Sequence, residues 1–356
     1  MLRVHTVKKY NPMYRIFLLM VFILCSKGVV TAQDPQFSQF YAAPLYLNPA
    51  LTGATGQARA GLNYRNQWPA IEARFTTMSV YFDYFIEDKN SGVGVILTRD
   101  QEGLAGLRSL NIGLQYSYEL EITKNLGFRP GVQVALFNRD INFDKLTFGD
   151  QFDENGNIVD VTQEVFIDNS SKTFLDLSFG GVFFTRTAWL GVSGWHLTQP
   201  NQSLIGETSR LPVKLSVHGG FKIPLKPGHV GSGVYARSSE RSISPAFQYR
   251  HQGKFDQMDL GVYFTFEPLV LGTWYRGVPF KNLGPYVNNE SIVLLLGFTK
   301  FGAKDAINIG YSFDYTISKL GPQSGGAHEF SLVYTWPMRN PRKPPRDKLV
   351  IPCPDF

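Results

Sequence analysis

Ser193 and His196 stand three residues apart in GVSGWH (191–196), and a serine near a histidine is the raw material of a hydrolase. A nucleophile elbow ends in glycine and turns from strand to helix, whereas here Trp195 holds that last position. On a single strand, moreover, a spacing of three sends the two side chains to opposite faces. Hydrolysis is not expected.

Asp153-Glu154-Asn155-Gly156-Asn157 has the look of a calcium loop. Aligned on Gly156, an EF-hand needs an acid at 151 and a glutamate at 162, where Gln151 and Thr162 stand. That leaves open an irregular Ca²⁺ site at Asp150, Asp153, Asn155 and Asp160, set against a solvated acidic loop. His196, His218, His229, His251 and His328 lack metal-ligand spacing. GHVGSG (228–233) lacks the lysine of a phosphate loop. The residues point to recognition rather than catalysis: no cofactor is expected, and the chain reads as no enzyme.

The elements that would position such residues begin after a leader. Arg3, Lys8, Lys9 and Arg15 precede an apolar run from Ile16 to Cys25 and the small residues Val30-Thr31-Ala32, the pattern of a secretory signal peptide over 1–32. The run is shorter than the roughly 20 residues of a spanning helix; an uncleaved anchor is the other reading. Leu24 before Cys25 argues against a lipoprotein, and Cys353 is then the single thiol left. Of the formal charge of +6, residues 1–32 supply five cations and no acid, and 339–356 a net three, leaving the body slightly negative. Nucleic acid is therefore not an expected partner.

From residue 58 onward, segments of about ten residues alternate in period two. Ala60, Leu62 and Tyr64 share one face against Asn63 and Arg65; Leu110, Ile112, Leu114, Tyr116, Tyr118 and Leu120 share one face against Asn111, Gly113, Gln115, Ser117, Glu119 and Glu121. Such length, with aromatics near the ends, fits transmembrane barrel strands better than sandwich strands; a large soluble β-sandwich or propeller is the alternative. Candidates fall at 58–68, 75–86, 92–99, 107–121, 126–138, 173–185, 187–197, 213–223, 229–237, 243–251, 256–266, 268–276, 290–301, 304–315 and 326–336. Bacterial single-chain barrels use even numbers. Dropping the Gly-rich 229–237 collects the connections near 69–74, 100–106, 139–172, 198–212, 277–289 and 316–325 at one end, external by their length, and leaves one long periplasmic connection at roughly 224–242. The expectation is an all-β outer-membrane barrel of about 14 antiparallel strands over 58–336, both termini periplasmic. An extended segment over 33–57 precedes it, and a short disordered Pro-rich basic tail over 339–356 follows.

The opening of the mature chain, DPQFSQFYAAPLYLNPALTG (34–53), resembles the N-terminal signature of the PorP/SprF family, outer-membrane proteins of the type IX secretion system of Bacteroidota. The resemblance continues in YRNQWP (64–69), LTFGDQFDENG (146–156), GVSGWHLTQPNQSL (191–204), LPVKLSVHGGFKI (211–223) and LGTWYRG (271–277), nearly the whole mature chain in order. It implies a barrel at the outer membrane lipid that works with the secretion and gliding apparatus, supporting export or surface attachment of a secreted protein. The partners it implies are periplasmic ring proteins, peptidoglycan-binding lipoproteins, and a secreted passenger or the C-terminal domain of an adhesin. A passive channel, and a structural anchor joining the barrel to the ring components, are the alternatives.

Beside the resemblance, residues 33–54, aromatic and nearly uncharged, could plug a barrel mouth or strap onto a partner, with Pro44 and Pro49 holding them extended; a disordered leader is the bland reading. The residues expected to contact a partner are Phe37, Phe40, Tyr41, Asn48, Pro49, Trp68, Asp150, Asp153, Trp195, His196, Pro200 and Asn201. The long acidic insertion at 139–172 and the 198–212 loop are where an external platform would lie.

Overall fold

The computed structural model describes residues 34–353, apart from 74, 104–105, 144–145, 154–156, 159–161, 163–170, 205–207, 227, 231–236, 284–285, 302–304 and 338–348. Fourteen strands follow one another as neighbours in a closed antiparallel ring. They are β1 (Ala58–Gln67), β2 (Phe75–Ile86), β3 (Ser91–Glu102), β4 (Leu107–Tyr118), β5 (Leu126–Asp140), β6 (Ser171–Phe184) and β7 (Ala188–Trp195), then β8 (Lys214–Phe221), β9 (Arg241–Gln252), β10 (Phe255–Phe266), β11 (Leu269–Leu283), β12 (Tyr286–Phe301), β13 (Ala306–Thr316) and β14 (Ala327–Trp336). The short pieces Leu120–Thr123 and Ile223–Pro224 extend the sheet beside β5 and β9. Closure is made by β1 against β14, from Ala58↔Trp336 to Gln67↔Ala327.

The alternation read from sequence sets the two faces. On β4, Leu114 is 65% exposed on the outside while Gln115 is 4% exposed within. Ile112, Tyr116 and Tyr118 lie outward with Leu114, and on β14 Phe330, Leu332 and Tyr334 do the same. A sheet that is apolar outside and polar inside is inverted relative to a soluble protein, and lipid is the solvent that fits it. β2, β3 and β4 have 12 residues each; rising about 3.4 Å per residue and tilted by about 40°, such strands climb about 30 Å, the depth of a hydrocarbon core. Among the described residues no helix is long and apolar enough to cross a membrane.

The connections sort into two ends. Ala58 and Trp336 share one with the turns at 87–90, 119–125, 185–187 and 267–268 and with the longer connection at 222–240; the other carries 68–74, 141–170, 196–213 and 317–326. These are called the short-turn end and the long-loop end below. Of 229–237, the described ends are no part of the ring: Gly228–Val230 pairs with Arg237–Ser239 in a separate two-stranded sheet, and 231–236 lie outside the described residues. One expected loop is corrected: most of 277–289 is strand, because β11 runs on to Leu283 and β12 begins at Tyr286. The ladder survives by shifting register between Arg276 and Gly277 and again between Val278 and Asn282. Gly277, at φ +150°, takes up the first shift, and Pro279, which has no N–H to give, falls in the second.

Candidate functional site in the barrel lumen

Residues 35–57 meet the inward faces of strands all around the ring. They are not extended where the prolines fall: Pro44–Leu47 is one helical turn and Pro49–Leu51 one 3₁₀ turn, each opened by its proline. Proline breaks helix interiors but is preorganised for the first helical position, and here both prolines act in that second capacity. Between the two turns Asn48 caps the second, its Oδ1 accepting from the Ala50 N–H at 2.9 Å.

Three polar clusters hold this segment to the wall. The first centres on Ser38. Its N–H and that of Gln39 donate to Glu329 of β14 at 2.7 and 2.9 Å, and its hydroxyl donates to Asp314 of β13 at 2.7 Å. Arg65 of β1 and Arg276 of β11 both donate to the same hydroxyl oxygen, at 2.7 and 2.8 Å, and both also bind Asp314 at 2.7 Å. Arg276 reaches Asp259 of β10 as well, at 2.6 Å. All of these charges are buried, so each depends on its partners for the solvation that water would otherwise give.

In the second cluster Asp83 of β2 accepts two bonds from Arg59 at 2.9 Å and one from the Gly53 N–H at 2.6 Å. The Thr52 carbonyl accepts from Ser117 at 2.7 Å and from Arg129 at 3.0 Å; Arg129 also pairs with Glu119 at 2.7 Å. In the third, the Asn48 amide donates to the Val192 carbonyl and meets His218 Nε2, each at 3.1 Å, while Ser193 donates to the Leu47 carbonyl at 3.1 Å. The Trp189 indole donates to the Tyr41 hydroxyl at 2.7 Å, and Phe40 packs on Trp274 with ring centres 5.0 Å apart. Glycines clear the way for the segment's backbone. A Cβ on Gly131 would lie 2.4 Å from Ala50 N, one on Gly92 2.1 Å from the Thr52 carbonyl oxygen, and one on Gly180 1.9 Å from Asn48 Oδ1.

The twelve residues expected to contact a partner divide into two groups. Phe37, Phe40, Tyr41, Asn48 and Pro49 are buried, and what they meet is this barrel's own wall. Trp195 is buried as well, its indole donating to Ser193 at 3.1 Å and its ring stacked on Tyr46. The others mark the long-loop end. Trp68 (φ 56°) ends β1, its N–H donating to the Gly326 carbonyl at 2.7 Å. His196 (φ 59°) ends β7, and its Nδ1 lies 2.8 Å from Asp176 Oδ2, an anchor that ties the 196–213 loop to β6. The Pro200 carbonyl accepts from the Leu211 N–H at 3.0 Å, and Asn201 Oδ1 from the Ser203 and Ser209 N–H groups at 3.1 and 2.9 Å, folding that loop on itself. Arg139 donates to Gln202, and Lys172 to the Ser203 carbonyl at 3.2 Å, so the bases of the 141–170 and 196–213 connections are joined.

Of the calcium candidates, Asp150 accepts from Thr162 at 3.0 Å and Asp153 from the Asn157 N–H at 2.8 Å; Asn155 and Asp160 lie outside the described residues. Among the described residues no group of three or more His, Cys, Asp or Glu is placed to hold a metal. Sequence reasoning missed Arg276, Asp314 and Glu329, the residues that grip Ser38. Their inward alternation was readable, but their mutual approach was not.

The tail also differs from expectation. Most of 339–356 lies outside the described residues, but Leu349 and Ile351 are buried in the apolar cluster with Tyr41, Trp189 and Tyr263, and Cys353 packs against it. The tetrapeptide Leu349-Val350-Ile351-Pro352 is apolar within a basic stretch, and that contrast is the signal that could have found it.

Among solved structures the chain is similar to the toluene transporter TbuX of Ralstonia pickettii, at 10% identity over 84% of this chain and 94% of that one, with a TM-score of 0.47. It is also similar to a FadL homologue of Pseudomonas aeruginosa, at 12% identity over 82% and 93% of the two chains, with a TM-score of 0.42. No curated protein matches it. The family model for the type IX secretion system membrane protein PorP/SprF matches residues 29–334, through the lumen segment and nearly all of the barrel. The chain belongs to the PorP/SprF family of type IX secretion system outer-membrane barrels.

Proposed function

We propose that this barrel serves type IX secretion through protein–protein contacts at its rims, with its lumen closed by its own N-terminal segment, and that it catalyses no reaction. The observation that carries the reading is the occupied lumen: buried ion pairs on β1, β10, β11, β13 and β14 converge on Ser38 and Gln39 and hold the segment across the ring. The joined loops at the long-loop end are the candidate platform for a secreted passenger or an adhesin's C-terminal domain, with that end outside the cell and the end of β14 facing the periplasm; Gln36 and Ser38, near the start of the described chain, lie toward the long-loop end rather than at the periplasmic mouth where the sequence puts them. Periplasmic ring proteins and peptidoglycan-binding lipoproteins would then meet the short turns, since Phe37, Phe40 and Tyr41 are occupied within the barrel.

Three measurements test this. Full-length protein in planar bilayers should pass no current in discrete steps; steady unitary steps would favour a passive channel. Gentle solubilisation of the outer membrane and pull-down of the tagged protein should bring type IX components with it. Deleting 150–164 should leave the barrel folded and reduce the passenger held at the surface, and an unchanged surface amount would refute the platform. Co-purification of ring lipoproteins with no passenger would favour the structural anchor.

A further inference from the structure

The lumen segment is gripped unequally along its length. Near the long-loop end, charge-assisted bonds fix Ser38 and Gln39. Toward the short-turn end, Phe40, Tyr41 and Leu47 rest on Trp189, Tyr263, Val270 and Trp274 in an apolar cluster, with the Trp189–Tyr41 bond among its few polar contacts. Into this cluster come Leu349 and Ile351, 7% and 3% exposed, while Val350 between them is 53% exposed. That alternation is of an extended peptide laid with one face on the plug. The chain leaves β14 at Trp336, at the short-turn end. The residues between Pro337 and Leu349 can span up to about 40 Å, ample to turn back into the mouth they left.

We propose that Leu349–Cys353 is a latch, a peptide ligand of the lumen supplied by the chain itself, which seats the N-terminal plug from the short-turn end and whose withdrawal releases it. The occupant is an apolar run in a basic, proline-dense tail, seated on plug and wall together. The segment is short, makes no strand with the barrel and arrives on its own connection, so it can leave without breaking a ladder. The inference builds on the closed-lumen reading, but that reading is judged on the native protein alone and the latch on the difference between native and variant.

The test uses the full chain refolded into planar bilayers, beside Leu349→Ser/Ile351→Ser, the milder Ile351→Ala, and a truncation after Pro337. Heat-shifted migration on gels shows that each barrel is folded. The expected result is a silent native protein, current steps in the double variant and the truncation, and amide exchange at 40–47 at least tenfold faster in both. Ile351→Ala should show a smaller change in the same direction. A synthetic peptide of residues 346–356 added to the truncated protein should restore silence and protection. Folded variants as silent and as protected as the native chain would overturn the latch, as would faster exchange that the peptide fails to reverse. A native protein that already conducts would refute the closed lumen, and the latch would then stand or fall on whether the variants raise the exchange rate at 40–47.

Discussion

Asp83 shows what one side chain does here. Its carboxylate accepts from Arg59 Nε and Nη2 and from the Gly53 N–H, so it balances a buried charge and pins the end of the plug where that segment turns into β1. Asp83→Ala takes this counter-charge from the buried Arg59, whose Nη2–H still donates to the Leu51 carbonyl at 3.2 Å, and breaking such a pair costs about 3–5 kcal/mol. The expected outcome is a lower urea midpoint for the vesicle-inserted protein, with faster amide exchange at 51–53; an unchanged midpoint would mean water or another acid had replaced the carboxylate. Asn48→Ala should cost less, about 1–3 kcal/mol, because it strands neutral acceptors such as the Val192 carbonyl rather than a charge. The sequence told which face such residues take, as Asn63 and Arg65 alternate with Leu62 and Tyr64. It could not tell what Arg65 would meet, because Asp314 and Glu329 lie 249 and 264 residues away along the chain. Alternation is local chemistry; pairing across the lumen depends on how the whole ring closes.

At the scale of elements, the strands were legible because lipid outside and a polar lumen inside enforce period two along each one. The parity of a closed meander then removed the weak 229–237 segment. The lengthened β11–β12 hairpin was not legible, since Gly277 and Pro279 read as loop residues when their true place is in bulges. The plug was legible as irregular, but Pro44 and Pro49, which suggest an extended chain from sequence, each begin a turn. Its seat was hidden altogether, because it depends on missing side chains in the wall. Gly131→Val should exploit this. The new Cβ would lie 2.4 Å from both Ala50 N and Pro49 C, and since it would meet backbone rather than a flexible side chain, the 3₁₀ turn must move. The barrel ladders do not depend on that turn, so the variant should fold and shift on heating as usual while proteinase K gains cuts at 37–51. Gly194→Ala is the control: its Cβ would meet Leu197 at an ordinary 3.4 Å, and stability should stay within about 0.5 kcal/mol of native. Protection at 37–51 in folded Gly131→Val would mean that the wall, not the plug, gives way.

For the molecule as a whole, orientation converts geometry into biology. The strands fix two unlike ends. One carries the 141–170 and 196–213 connections joined at their bases, and the other carries four short turns, the 222–240 connection, the start of β1 and the end of β14. Barrels inserted from the periplasm keep short turns on that side, because each turn must be drawn across no membrane, whereas long loops must be carried through. The buried Leu349 and Ile351 agree with this sense, since a tail that reaches the lumen from the short-turn end has access to it from the side on which the protein is assembled. The prediction is made with a Cys353→Ser background carrying one new cysteine. Asn157 is exposed in the long connection, and Lys124 is exposed in the turn at the other end. A membrane-impermeant maleimide should label Asn157→Cys on intact cells, and Lys124→Cys only after the outer membrane is permeabilised. The reverse pattern would put the joined loops in the periplasm. The passenger platform would then have to be sought among the short turns, and the latch would open toward the outside.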